Sequence, residues 1–314
     1  MSEAYMSLPA TVPFFHLNHY HAQLLREIFH RTLATKLAED SFAMLLDGRL
    51  TLDALMECRR LGLNDDFDDI LNYSGPTEES ITMFRSLRDQ FDPSHVSIKA
   101  SSAEKFKRSA TQPPCKDFKH SLLDLVASMI HDLAISIFEG LHGSRYQNKP
   151  HEGPENPVHP DFRHPKYVHS RLYPRGPIEL VGYWIEMRLF GGVIVFEHGN
   201  PPGEPGSPWV HFPYEGIMKL SNRQLDAFTQ FAFAEPPMSD STAVRDVLPF
   251  TVEEDAHTVE SRDAYELGLF RNSFEHVPPP NISRWECVKR NVTYPDWILE
   301  ELRRSCFWHY THCM

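Results

Sequence analysis

The sequence lacks the short motifs that identify several large enzyme classes. It contains no GxGxxG fingerprint, no GxxxxGK phosphate loop, no GxSxG elbow and no HExxH pair. Each of these motifs supplies a backbone turn or a ligand spacing on which its chemistry depends. Dinucleotide, nucleoside-triphosphate and ordinary serine-hydrolase chemistry are therefore disfavoured.

Positive charge is scarce as well. The 314 residues carry a formal net charge of −12, and no block of lysines and arginines occurs. Binding to nucleic-acid phosphates needs an excess of Lys and Arg on at least one face. We therefore expect no nucleic-acid partner and predict that the ligands are small molecules.

Cysteine pairs and targeting signals are also missing. The five cysteines are odd in number, scattered and never in a CxxC arrangement, which is poor support for a disulfide framework. The N-terminal stretch MSEAYMSLPATVPFF has no basic region followed by an apolar one. The longest apolar run is interrupted by polar residues and looks too short to span a bilayer. A cytoplasmic protein without membrane contact is the expectation.

That apolar run is the most informative stretch that is present. In DFKHSLLDLVASMIHDLAISIFEGL, residues 117–141, apolar side chains point in nearly every direction around a 3.6-residue turn. This pattern predicts a helix buried on most sides. His131 and Asp132 lie inside it, and burying an ionisable group is costly unless the group is paired or bound to a metal. The helix is therefore the first candidate for a functional element.

The remaining pattern predicts one mainly α domain, residues 1–314, with a small β-hairpin insertion. We expect N-terminal helices in 1–91, a connection in 92–116, central helices with a His/Pro-rich loop and the hairpin in 117–234, and a wrapping C-terminal region in 235–314. Helical patterns or caps occur near 16–37, 51–61, 77–91, 178–190, 222–233 and 295–310. Strand patterns occur at 193–199, 209–214 and 216–220.

A metal site between the two buried helices is the chemical prediction. Residues seven apart on one helix are roughly 10 Å apart and cannot share one ion, so ligands must come from elsewhere. The second helix carries Glu179, Tyr183 and Glu186 on one face. We predict His131 and Glu186 as ligands, with Asp132 or the loop residue His169 in addition. The alternative is that His131 and Asp132 only bond to neighbouring backbone groups and that Glu186 pairs with an arginine such as Arg171 or Arg188.

Two neighbouring residues at a strand end, Glu197 and His198, are candidates for acid–base catalysis. Adjacent strand residues point to opposite sides of a sheet, so at most one of them can enter a pocket. An exposed strand end is the simpler interpretation of this pair.

The segments SMIHDLAISIFEGLH and YPRGPIELVGYWIEMRLFGGVIVFEHG resemble fungal hemocyanin-like proteins, among them the cyclopenases of quinolone-alkaloid pathways. The resemblance covers about residues 118–235. It implies a mostly helical, hemocyanin-like fold and a single zinc ion in place of a copper pair. It also implies the conversion of a cyclopenin-type benzodiazepinedione into a viridicatin-type quinolone, a ring contraction with loss of methyl isocyanate.

The residues are compatible with that implication. No HxxxH pair occurs, although type-3 dicopper centres typically use such pairs, so oxygen carriage and phenol oxidation are disfavoured. A Lewis-acid zinc could polarise a carbonyl or epoxide oxygen without redox chemistry. Aromatic side chains could form the walls for a flat substrate, and the candidates are Phe138, Tyr183, Trp184, Phe190 and Phe196.

Three functional hypotheses follow. The first is a zinc-dependent, non-redox lyase of fungal secondary metabolism that acts on a small aromatic lactam. The second is an oxygenase in which His131, Glu186 and another histidine hold iron(II). The third is a non-catalytic helical binding protein whose buried polar groups are structural.

Overall fold

The computed structural model describes residues 11–58, 72–92, 96–109, 115–143, 160–168, 170, 173–198, 205–233, 247–261, 263–264 and 267–272. These residues form eight α-helices: α1 His19–Leu33, α2 Lys36–Asp47, α3 Leu52–Cys58, α4 Glu78–Gln90, α5 Ala100–Ser109, α6 Lys116–His142, α7 Glu179–Phe190 and α8 Asn222–Phe233. They also form seven strands: β1 Thr11–Pro13, β2 Ser97–Lys99, β3 Val193–His198, β4 Pro205–Phe212, β5 Gly216–Lys219, β6 Thr258–Val259 and β7 Leu269–Phe270.

The central helix α6 is confirmed, with apolar residues buried on most sides as its sequence pattern predicts. Its length and a mean hydropathy of 1.6 in its most apolar window are sufficient for a membrane span. Length and composition alone therefore do not exclude such a role, contrary to our expectation. However, 72% of that window is buried inside the protein, which is the environment of a core helix.

Helix α7 is the second buried helix and packs directly against α6. It follows a short 3-10 turn that begins Gly176–Pro177, and it ends at Gly191. Gly191 has a φ of 82°, in the left-handed region that glycine adopts without a Cβ clash, so it stops the helix and turns the chain into β3. Both the extent and the end of this helix agree with the sequence pattern.

Several helix starts follow from side-chain caps. Thr77 accepts a hydrogen bond from the Ser80 amide at the start of α4, and Ser221 accepts one from the Gln224 amide at the start of α8. Both caps are predicted by the sequence and are confirmed. Such a cap contributes about 1 kcal/mol because it satisfies a backbone N–H that has no partner inside the helix.

The first third of the chain differs from the prediction in two places. The pattern near 16–37 predicts one helix, but the chain turns at Thr35, whose hydroxyl caps α2. The segment 92–116, predicted as a connection, contains strand β2 and helix α5. Helix α5 is largely polar and buries few large apolar side chains, Phe106 among them, so its apolar stripe is weak in the sequence.

The predicted hairpin is the core of a larger sheet. Strands β3, β4 and β5 pair in antiparallel order, and β6 and β7 extend them into a five-stranded sheet with the order β6-β5-β4-β3-β7. Strands β6 and β7 are only two residues long and come from a weakly periodic part of the sequence. The fold is therefore helical with a substantial antiparallel sheet, and a small hairpin insertion understates it.

The sheet separates two apolar clusters because alternate residues of a strand face opposite sides. Ile194 and Phe196 join the main cluster with α6 and much of α7. Val193 and Val195 join a smaller cluster with Tyr167 and other residues. Helix α7 contributes to both clusters, with Trp184 in the main one and Tyr183 in the smaller one.

Candidate functional site around His131

The imidazole of His131 lies against the backbone of α7 at Gly182. A Cβ atom built on Gly182 would lie 2.5 Å from Nε2 and Cε1 of His131. Any larger residue would therefore displace the ring or the helix. The glycine in the middle of α7, an unfavourable helix residue by itself, is explained by this close approach.

Two carboxylates on α7 hold the two ends of the ring. His131 Nδ1 lies 2.7 Å from Glu186 Oε1, and His131 Nε2 lies 3.3 Å from Glu179 Oε1. Glu179, Gly182, Tyr183 and Glu186 occupy positions i, i+3, i+4 and i+7, which form one face of a helix. The ring centroid of Tyr183 lies 4.8 Å from that of His131, in an edge-to-face arrangement. This face of α7 thus surrounds the imidazole.

Glu186 is the fully buried end of the cluster. Its Oε1 accepts hydrogen bonds from His131 Nδ1 and Arg271 Nη1, and its Oε2 accepts one from the backbone amide of Ile194 at 3.1 Å. Arg271 follows directly after β7, so the edge of the sheet delivers the arginine to the helix pair. With three donors on its oxygens, Glu186 is suited to orient His131 rather than to bind a metal ion.

The cluster combines two acidic and two basic groups in a dry environment. Burial disfavours the charged form of His131, but hydrogen bonds to Glu179 and Glu186 outweigh burial and raise the pKa of this histidine to about 9. Burial would raise the pKa of Glu179, but the hydrogen bond and charge of His131 and the charge of Arg175 lower it. The pairing therefore favours an imidazolium between two carboxylates.

The Glu179 end differs from the Glu186 end in its access to solvent. The side chain of Glu179 is 13% exposed and that of Glu186 is 0% exposed. Beside Glu179, Arg175 forms an ion pair with Asp132 at 3.9 Å, and both of these side chains are about 40% exposed (43% and 39%). A ligand can therefore approach His131 Nε2 from the Glu179 end with less rearrangement.

The structure places the predicted polar residues unequally. It joins His131 to Glu186, whereas Asp132 points to Arg175 and not into the cluster. Glu197 and His198 lie at the end of β3, where the register with β4 shifts. The His198 ring stacks on Phe270 at 4.1 Å, and its Nε2 donates to the Phe270 carbonyl at 2.8 Å. His169 lies outside the described residues.

Arg271 is the member of the site that sequence reasoning missed. It is 6% exposed, bonds to Glu186 and lies 3.2 Å from His131 Nδ1, although it is 140 residues away from His131. A buried carboxylate does call for a cation, and the structural alternative from sequence pairs Glu186 with Arg171 or Arg188. Arg188 instead pairs with Glu57, and Arg171 lies outside the described residues.

Of the predicted aromatic walls, Tyr183 contacts His131 edge-to-face. Phe138, Trp184, Phe190 and Phe196 are at most 2% exposed and belong to the main apolar cluster. Phe138 and Trp184 both pack against Phe162, with ring centroids 5.6 and 4.8 Å away. These side chains are core residues in the described structure, and a substrate would have to displace packing to reach them.

The fit of a zinc ion can be tested on these contacts. In the described part of the chain, no three His, Cys, Asp or Glu side chains form a group spaced to hold a metal. One pair does fit: His131 Nε2 and Glu179 Oε1 are 3.3 Å apart. Two ligands bound tetrahedrally at about 2.0 Å are separated by roughly 3.3 Å. Glu186 then has the position of the carboxylate that orients a histidine ligand through its other nitrogen.

Comparison with known proteins adds no family to this description. No family model matches the chain, and no curated protein or solved structure is significantly similar to it.

Proposed function

We propose that this protein is a zinc-dependent, non-redox lyase that acts on a small aromatic lactam of the cyclopenin type. The observation that carries the proposal is the convergence of His131 Nε2 and Glu179 Oε1 at 3.3 Å, with the other ring nitrogen fixed by Glu186. The substrate class rests on the sequence resemblance of residues 118–235 alone. In this proposal Glu179 replaces Glu186 as the carboxylate ligand.

Each residue of the cluster has a distinct task. Glu186 accepts the Nδ1 hydrogen of His131 and thereby directs Nε2 toward Glu179. Arg271 compensates the charge of Glu186 in an interior where an isolated carboxylate would be costly. Gly182 lets the ring lie against α7. A zinc ion held by His131 and Glu179 would supply Lewis-acid polarisation of a carbonyl or epoxide oxygen.

Metal analysis of the purified full-length protein tests the site. We expect about one zinc ion per chain, and loss of that zinc in both His131→Ala and Glu179→Gln. Glu186→Gln should retain zinc with roughly 10- to 100-fold weaker affinity, since it removes an orienting contact and no ligand. Matched controls are His142→Ala on the same helix α6, and Glu57→Gln, which pairs with Arg188 of α7. Both should keep full zinc content.

Three results of that analysis contradict the proposal. Full zinc content in His131→Ala would exclude the site. Stoichiometric iron in place of zinc would favour an oxygenase. A protein without bound metal after purification in zinc-containing medium would favour a structural ion cluster.

Turnover tests the substrate class separately. Zinc-loaded protein is incubated with cyclopenin. Formation of viridicatin, and of methylamine from hydrolysis of the released methyl isocyanate, is followed by chromatography and mass spectrometry. Turnover that disappears in His131→Ala and persists in His142→Ala supports the lyase. Absence of turnover in zinc-loaded protein would overturn the cyclopenin substrate while leaving the metal site intact.

A second candidate function is favoured by Arg271. With His131 protonated, the charges of His131 and Arg271 balance those of Glu179 and Glu186 without a metal ion. Such a cluster would be structural, and the chain would be a non-catalytic binding protein. Retention of the folded state after complete removal of metal, with an unchanged unfolding midpoint, is the result that this candidate predicts.

A further inference from the structure

A second histidine-centred group is connected to the His131 cluster through ring contacts of Tyr183. The ring of Tyr183 stacks on that of Tyr167 at 4.4 Å, and Tyr167 lies edge-on to His211 at 5.3 Å. His211 Nδ1 is 3.1 Å from the Tyr167 hydroxyl, and His211 Nε2 is 2.7 Å from Ser261 Oγ. One imidazole thus joins a serine hydroxyl to a tyrosine hydroxyl.

Three separate parts of the chain supply this group. Tyr167 belongs to the His/Pro-rich loop between α6 and α7. His211 lies on β4 in the centre of the sheet, and Ser261 lies in the turn after β6. Tyr167 and His211 are at most 1% exposed, whereas Ser261 is half-buried. The serine is therefore the member of the group that a solute can reach.

The neighbouring His164 shows what a purely structural histidine looks like here. Its Nε2 donates to the His211 carbonyl at 3.0 Å, and its Nδ1 accepts from the Lys166 amide at 3.1 Å. Both partners are backbone groups with fixed roles, so the tautomer is set and the ring has no proton to exchange. His211 differs because the two ring nitrogens face hydroxyls, which can donate or accept.

We propose that Ser261 is the nucleophile of a second catalytic site, with His211 as its general base and Tyr167 as the residue that positions the base. His211 donates its Nδ1 hydrogen to the Tyr167 oxygen, and Nε2 accepts the Ser261 hydroxyl. The substrate class is a neutral carbonyl ester. Of the buried residues near Ser261 in sequence, Val259 and Ala264 are apolar and Asp263 is acidic, a combination that disfavours an anionic acyl group.

The reaction balances without any added oxidant or reductant. Ser261 Oγ bonds to the ester carbonyl carbon as its proton moves to His211 Nε2. The ester C–O bond then breaks, and the leaving alkoxide takes that proton and departs as an alcohol. Water attacks the acyl-serine, gives a proton to His211 and releases the carboxylic acid. The proton returns to Ser261 Oγ.

The missing GxSxG motif does not conflict with this site. Nucleophile, base and orienting group are recognised by their geometry, and unrelated folds place them in different chain orders. Here the order is Tyr167, His211, Ser261. The serine lies in a turn after an edge strand and not at a strand–helix elbow, so the usual local sequence is not required.

An alkyl fluorophosphonate, which forms a covalent bond with activated serines, tests the proposal on the full chain. We expect time-dependent labelling of one site, located on Ser261 by peptide mass spectrometry, and no labelling of Ser261→Ala. His211→Gln should slow labelling roughly 100-fold because it removes the base. Tyr167→Phe should slow it about tenfold because it removes one neutral hydrogen bond and little packing.

The control is Ser86→Ala, an exposed serine on α4 that should leave the rate unchanged. Circular dichroism of every variant establishes folding, and Tyr167→Phe keeps the test decisive if His211→Gln unfolds. Two outcomes overturn the proposal: no labelling of the folded wild-type protein, or labelling that Tyr167→Phe and Ser261→Ala leave unchanged. Because the probe needs no zinc, its result is separate from that of the metal analysis.

Discussion

Two buried histidine environments contact the Tyr183–Tyr167 stack, His131 through Tyr183 and His164 through Tyr167, and their partners differ in charge. His131 lies between two carboxylates and beside Arg271, and its pKa rises to about 9. His164, beside His211, bonds to backbone groups, and burial lowers its pKa to about 3. Burial opposes the charged form in both cases, so the partners decide whether a buried histidine carries a charge.

Because the partners differ in charge, substitutions in the two regions should cause different losses of stability. In the His131 cluster, every charge depends on an opposite charge, so removing one leaves another unbalanced in a dry interior. In the His211 group, the ring nitrogens of His211 bond to the neutral hydroxyls of Tyr167 and Ser261, and losing one of these bonds leaves an unmade hydrogen bond. Substitutions in the two regions should therefore differ several-fold in their effect on the free energy of unfolding.

The largest effect is expected for Glu186→Gln. This change keeps the shape of the side chain but leaves His131 and Arg271 without their shared carboxylate. Breaking a buried ion pair in this way costs about 3–5 kcal/mol. Urea unfolding monitored by circular dichroism measures it.

Glu39→Gln is the control for that change, because Glu39 also forms a close ion pair, with Arg85 at 2.6 Å. The Arg85 side chain is 52% exposed, so solvent screens the charge that remains and the loss should be much smaller. Equal effects of the two changes would mean that the His131 cluster is not a dry charged site.

A smaller loss is expected for Gly182→Ala. The new Cβ would lie 2.5 Å from the His131 ring, and overpacking of this kind costs about 1–3 kcal/mol. A Cβ added to Gly140 in α6 would meet no other atom within 4 Å, so Gly140→Ala should not destabilise the protein. Thermal unfolding compares the two changes, and a stabilising effect of Gly182→Ala would contradict the close approach of the helices.

The pH dependence of stability tests the environment of His164, whose hydrogen-bond partners are neutral backbone groups. The pKa of His164 is lowered to about 3 by burial, so the folded protein keeps this ring neutral. The unfolded chain takes up a proton below about pH 6.5, so this contribution to stability is complete above that pH. It falls by up to about 1.4 kcal/mol per pH unit as the pH drops from 6.5 toward 3.

The variant His164→Gln isolates that contribution, because glutamine can donate to the His211 carbonyl and accept from the Lys166 amide. Its free energy of unfolding, measured in urea at pH 7.5, 6 and 5, should change less with pH than that of the wild type. Parallel curves for the two proteins would show that His164 is protonated in the folded state.

The smallest effect is expected for Tyr167→Phe. The hydroxyl bonds to His211 Nδ1 at 3.1 Å, while the ring keeps its stacking on Tyr183. Loss of one neutral hydrogen bond costs about 1 kcal/mol. The unfolding midpoint in urea measures it, with Tyr20→Phe on the exposed face of α1 as the control. A loss as large as that of Glu186→Gln would place a charge in the His211 group.

Local features of the fold were predictable from the sequence. The apolar pattern of α6 and the cap at Thr77 are confirmed because helix periodicity and capping depend on residues within a turn or two. The edge strands β6 and β7 were not predictable. Two residues carry too little pattern, and these strands exist because β5 and β3 offer backbone partners.

The candidate site likewise has one part that the sequence indicates and another that only the structure shows. The residue types on α7 indicate a polar face opposite His131, and the structure joins Glu179, Glu186 and His131 there. The choice between the two glutamates as ligand depends on Arg271 and on the Ile194 amide, which occupy Glu186. Those donors come from the sheet, and nothing in the local sequence of α7 indicates them.

The sequence by itself therefore determined the buried helices, the stripe of α7 and the histidine between them, because each depends on short-range spacing. The tertiary structure alone decided which end of His131 is dry, which cation balances Glu186, and that Tyr167, His211 and Ser261 meet. These outcomes depend on contacts between residues 44 to 140 positions apart, where the chain path and the sheet register determine the partner.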